Sequence, residues 1–171
     1  MGILDLGLIR RVRQHHAIEH ATVTILMLQD RTVQLVGGRS NHRGFYIYGL
    51  VETDALRTAV VEALRRLQGG EAELAIHPNC GTNLVTAGTL AGLATFTTTA
   101  IARRQKTSIL DQIPAAIVAA TAGLLLGRPL GLRLQKRVTT LADVRDLRLG
   151  AIERRQAGRW VQHFVTIEAN S

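Results

Sequence analysis

Cysteine occurs once, at position 80, in a chain of 171 residues. That excludes an intrachain disulfide and leaves a free thiol or a metal thiolate. Aromatics are only 4% of the sequence, and no base-stacking series or nucleic-acid-binding motif accompanies the basic residues. The net charge of +8 therefore does not predict a nucleic-acid partner. Low-complexity linkers and internal repeats are lacking, apart from a glycine spacing described below. The first thirty residues lack the compact apolar core and small-residue cleavage site of a secretory signal, so the amino terminus is expected to be retained.

What the chain does have is a split set of metal-type ligands. His16-Ala17-Ile18-Glu19-His20 lies near the start, and His77-Pro78-Asn79-Cys80-Gly81-Thr82 lies just before a long apolar stretch. The repeat of Leu4, Leu8, Val12, His16 and His20 predicts a helix over 4–28, with Gly7 as a weak point after which it can start. On that helix His16 and His20 share a face, with Glu19 beside them. Two imidazoles at this spacing can hold one zinc ion, and the carboxylate can accept a proton from an activated water. His77 and Cys80 add one or two further ligands from a turn. The plainer reading of His15, His16 and His20 is a set of partly buried, hydrogen-bonded histidines.

Beyond Asp30 the pattern changes to short strands, Thr32–Val36 and Phe45–Tyr48, expected to pair antiparallel. Tyr46 and Tyr48 share one strand face, and His42 lies in the loop. Thr53–Gln68 reads as a second helix, capped by Thr53 and ended by Gly69-Gly70. A strand over Ala72–Ile76 is expected to deliver His77 and Cys80 to one end of the sheet. Two more strands, Val144–Ile152 and Trp160–Ile167, are separated by a turn at Ala157-Gly158, and His163 reads as an ordinary strand histidine.

Between them lie two apolar runs. Residues 84–102 are uncharged and long enough to cross a bilayer. The second run, 113–132, repeats glycine at 123, 127 and 131, while Gly88 and Gly92 give the first run small-xxx-small spacing. A packed transmembrane hairpin follows, ending near Arg128-Pro129, with the buried core of a soluble protein or dimer as the alternative. Basic residues fall in short groups: Arg10, Arg11 and Arg13 precede the first histidine motif, Arg103, Arg104 and Lys106 separate the two apolar runs, and Arg128, Arg133, Lys136 and Arg137 follow the second. That placement suits anionic headgroups, and their balance favours a cytoplasmic soluble part.

The expected class is thus α+β: a small mixed sheet with helices plus a two-helix transmembrane hairpin. Its regions are 1–83 for metal binding, 84–132 for the hairpin, and 133–171 as a strand-rich tail packing on the first region.

The paired motifs, His15-His16-Ala17-Ile18-Glu19-His20 and His77-Pro78-Asn79-Cys80-Gly81-Thr82-Asn83 followed by an apolar helix, resemble those of the YqhQ-like putative metal-dependent membrane proteins. The resemblance covers the two motifs and the adjoining helix. It implies a bacterial integral membrane protein with a metal site at His16, Glu19, His20, His77 and Cys80. Asn79 stands where that family has arginine, which removes the basis for a shared anionic substrate.

Two mechanisms compete for these residues. In one, three ligands hold Zn²⁺ with an open position, Glu19 is the general base, and a peptide or ester bond is hydrolysed at the membrane surface. In the other, His16, His20, His77 and Cys80 close a structural site and Glu19 orients an imidazole. A third class is a metal-free membrane scaffold whose Gly-rich helices bind another copy or another membrane protein.

Overall fold

The computed structural model describes residues 2, 4, 6–30, 33–158 and 160–170. The chain divides into two compact units, Met1–His77 with Lys136–Ser171, and Pro78–Gln135. The α+β class holds: helices are combined with one four-stranded antiparallel sheet.

In the first unit, α1 (Gly7–Gln29) is followed by β1 (Gln34–Asn41), β2 (Gly44–Leu50) and α2 (Thr53–Gln68); β3 (Leu147–Ala157) and β4 (Trp160–Ala169) come from the end of the chain. The sheet order is β1-β2-β4-β3. The last strand therefore enters the middle of the sheet, with Tyr46 opposite Phe164 and Ile47 opposite His163. The expected strand start at Thr32 lies outside the described residues.

The inner sheet face supplies Phe45, Ile47, Val165 and Ile167 to a core shared with Ile18, Ile25, Leu56 and Val60 of the two helices. Alternation along β2 and β4 makes this possible, because every second side chain points inward. Two expectations are corrected. Ala72–Ala75 is a 3-10 helix and not a strand, since only Ala75 of the four is buried and no alternation supplies a sheet face. The N-cap of α2 is Glu52, with no side-chain cap bond, because the Thr53 hydroxyl is bonded to His163 Nε2 at 3.0 Å.

The middle turns of α1 are buried on nearly every side, and they carry polar residues. Burying a polar group without a partner costs on the order of 1–3 kcal/mol, so these side chains reach outward to several elements. Gln14 Nε2 donates to the Asp143 carbonyl at 2.6 Å, whereas Thr22 Oγ1 bonds back within the helix to the Ile18 carbonyl at 2.8 Å. Arg13 donates to the carbonyls of Arg137 and Thr140. A polar helix at the centre of the unit is thereby held in one axial position.

The second unit is a hairpin of α3 (Gly81–Arg104) and α4 (Ile109–Leu134). Gly123 backs onto Ala91, Gly127 onto Ala87 and Gly131 onto Asn83. A Cβ at Gly127 would lie 2.4 Å from Ala87 Cα, so the glycine repeat permits close antiparallel packing. Both helices are long and apolar enough to cross a membrane, and only 11% of each apolar stretch is buried. The helix runs through Pro129 to Leu134, past the expected stop at Arg128-Pro129. Proline costs one intrahelical hydrogen bond, and Gly127 and Gly131 on either side of it remain buried.

Candidate metal centre

The two histidines of the first motif stand one helical turn apart on α1, with ring centroids 4.3 Å apart in an edge-to-face arrangement. His16 Nδ1 lies 2.9 Å from the Thr139 carbonyl oxygen, and His20 Nδ1 lies 2.8 Å from that of Ala75. A carbonyl oxygen can only accept, so each Nδ1 carries the proton. In its neutral form each ring then presents its lone pair at Nε2. This is how metal-binding imidazoles are commonly oriented, by an outer hydrogen bond that fixes tautomer and ring plane.

His77 follows the 3-10 helix, and its ring centroid lies 6.0 Å from that of His20. The short segment from Ala75 to His77 thus orients one imidazole and brings up a third. Cys80, the last expected ligand, belongs to the second unit. It is the N-cap of α3, where its sulfur accepts from Thr82 N–H at 3.4 Å. Asn83, three residues on, donates to the Pro78 carbonyl at 2.8 Å. The second motif is therefore also a helix-capping sequence. The imidazoles of His16 and His20 in the first unit, and the sulfur of Cys80 in the second, are each of a donor type that could hold a metal ion.

Glu19 is buried and faces β1, where Ser40 Oγ donates to its Oε2. Gly38 makes room for it: a Cβ there would come within 2.3 Å of Glu19 Oε1. Neither Ser40 nor Gly38 was among the expected site residues. A glycine and a hydroxyl two positions apart on a strand give no signal until that strand is placed against α1. The carbonyls of Thr139 and Ala75 are likewise invisible in sequence, because any residue type supplies one.

His15 points elsewhere. Its Nδ1 lies 2.7 Å from the Asn41 carbonyl, and it lines a cavity of about 400 Å³ with Arg10, Arg11, Asp146 and Glu168. Burial pushes its pKa below the usual histidine value, against the pull of the Asn41 bond. His163 is fully buried on the inner sheet face, and burial lowers its pKa as well.

Fold and site together define an α+β protein with an imidazole-rich centre on its central helix and a hairpin of two membrane-length helices. The chain belongs to a family described as a domain of unknown function (DUF6391), whose profile matches residues 11–152, a span holding both histidine motifs. An uncharacterised protein of Picosynechococcus sp. is 43% identical over 96 aligned residues, which take in 48% of this chain and 47% of the relative. The chain spans about half the length of the curated relative it matches. No solved structure matches it.

Proposed function

We propose that this is a membrane-anchored metal-binding protein in which His16, His20, His77 and Cys80 hold a zinc ion. The observation that carries the reading is the pair of carbonyl-oriented imidazoles, rings 4.3 Å apart, both set to offer Nε2. Cys80 follows His77 by three residues, a tether of at most about 10 Å, and thiolate with imidazoles is a zinc-type donor set. The resemblance of the paired motifs to the YqhQ-like proteins is consistent with this reading.

Anchoring is supported by α3 and α4. Their outer surfaces expose Leu84, Val85, Phe96, Val118, Leu125 and Leu126. The hydroxyls of Thr97, Thr98, Thr99 and Thr121 bond back to carbonyls within their own helices, which removes the penalty of bare polar groups in hydrocarbon. We place the hairpin in a bacterial cell membrane with the first unit cytoplasmic. Gly88 and Gly92, with open space over them, suit a second copy or another membrane helix.

Zinc supplies Lewis acidity and, at an open position, lowers the pKa of water to about 7. In the hydrolase version of the proposal Glu19 takes a proton during cleavage of a peptide or ester bond at the membrane surface. The second version is a scaffold or assembly protein with a structural zinc site. The Ser40–Glu19 bond favours it, because a carboxylate held against Gly38 serves to lock α1 on β1.

The test is metal content by mass spectrometry on detergent-purified protein, with His16→Ala and Glu19→Gln beside the wild type. About one zinc per chain in wild type and Glu19→Gln, lost in His16→Ala, supports the site. No metal after chelator-free purification rejects it. If Glu19→Gln keeps zinc and abolishes turnover of an ester or peptide found by screening, the hydrolase version stands; unchanged turnover removes Glu19 from the chemistry.

A further inference from the structure

The chain has six aromatic residues, and four of them fall on one surface. Tyr46 and Tyr48 of β2 and Trp160 and Phe164 of β4 are half-buried and lie on the sheet face opposite the one that joins the core. Tyr46 stacks near Tyr48 with centroids 6.1 Å apart, and lies 4.6 Å from Phe164. The register puts Arg39 of β1 opposite Tyr46, and Arg155 of β3 opposite Gln162. A row of rings therefore crosses the middle of the sheet, with the Arg39 guanidinium on one edge strand and the Arg155–Glu153 ion pair, 3.1 Å, on the other. Packing does not account for this concentration, since α1 and α2 cover the other face.

We propose that this face is a membrane-docking surface that lies on anionic lipid headgroups. Tyr and Trp combine an apolar ring with a polar edge and gather at the boundary between headgroups and acyl chains. Arg39, exposed on the β1 edge, meets lipid phosphate with forked donors. Tethering makes weak docking sufficient: if α3 and α4 span the bilayer, the first unit stays at high effective concentration near the lipid surface. The inference rests on that membrane-anchoring reading. Single-stranded nucleic acid is the competing use of an aromatic face; the ion pairs Arg155–Glu153 and Arg148–Glu168 leave this face little net charge, so ring chemistry and the tether favour lipid, whereas nucleic-acid binding depends on a basic groove.

Trp160 is the sole tryptophan, so its emission reports on this face without labelling. The full chain is reconstituted into phosphatidylcholine vesicles with and without phosphatidylglycerol, and with normal or brominated acyl chains. The expected result is blue-shifted emission, quenched by brominated chains and more strongly with the anionic lipid. Two variants should lose most of the quenching: Arg39→Glu, at an exposed position, and the Tyr46→Ser/Tyr48→Ser pair. Circular dichroism verifies that both remain folded.

A chain that floats with the vesicles while Trp160 stays unquenched and open to iodide overturns the docking face and leaves anchoring intact. A chain that does not float overturns both. Emission that responds to single-stranded nucleic acid, or to protein concentration, in place of lipid overturns the lipid assignment.

Discussion

The central helix of the first unit and the hairpin of the second are built on opposite plans. In α1 the buried positions carry Gln14, His15, Glu19, His20 and Thr22, with apolar groups beside them. In α3 and α4 the buried positions are all small or amide, Asn83, Ala87, Gln112, Gly123, Gly127 and Gly131, while leucine, valine and phenylalanine are turned outward. In water the second plan forfeits hydrophobic burial, roughly 25 cal/mol for every Å² left exposed. In lipid it loses nothing, because helix association there depends on close packing of small residues. The contrast is what the anchoring proposal requires of two units made for different solvents.

One pair of substitutions breaks or sharpens that comparison most directly. Ile18→Ala removes a fully buried side chain from the first core and should cost about 2–5 kcal/mol, read by denaturant unfolding. Leu125→Ala, at a leucine 65% exposed, should leave stability nearly unchanged. Leu125→Arg then separates the solvents. On a lipid-facing surface it should disfavour insertion by about 2.5–3.5 kcal/mol, measured as the fraction of chain recovered in membranes, whereas in water it should be harmless. Equal recovery of Leu125→Arg and wild type would return α3 and α4 to the alternative of a soluble assembly.

A smaller effect is expected at the helix contact. Gly127→Ala places a methyl group where Ala87 already stands, and overpacking of this kind costs about 1–3 kcal/mol. Gly88→Ala has open space and serves as the matched control. Crosslinking between cysteines introduced on α3 and α4 reads the separation. A hairpin indifferent to Gly127→Ala would mean that the glycine repeat is not its contact.

Much of the fold is legible in the order of residues alone, for physical reasons that differ by element. The helix Thr53–Gln68 follows from its apolar stripe and the Gly69-Gly70 stop, and the hairpin from its length and lack of charge. Alternation places Tyr46 and Tyr48 on one face. What is hidden is what depends on long-range partners. Ala72–Ala75 is too short for periodicity to separate a strand from a 3-10 turn. Thr53 suits capping by residue type, yet its hydroxyl meets His163, more than a hundred residues away. The site divides in the same way: His16, Glu19, His20, His77 and Cys80 stand out by type and spacing, while Ser40, Gly38 and the two orienting carbonyls do not.

The smallest effect expected is one of pH, and it belongs to the first unit. His163 is pushed below the ordinary histidine pKa by burial first, with Arg154 adding to the push and Glu52 opposing it. A lowered folded-state pKa means that the unfolded chain binds the proton more readily. The contribution of His163 is therefore whole above about pH 6.5 and declines as pH falls through that value toward the folded pKa. His15 acts in the same direction, so replacing one histidine should flatten the slope without abolishing it. Denaturant midpoints for wild type and His163→Gln between pH 8 and pH 5 make the comparison, at constant metal so that ligand protonation does not intrude. The variant should start lower, because it disturbs the Thr53 contact, and lose less on acidification. Parallel curves would mean that His163 titrates alike in both states, and that its burial does not set the acid limit of the sheet.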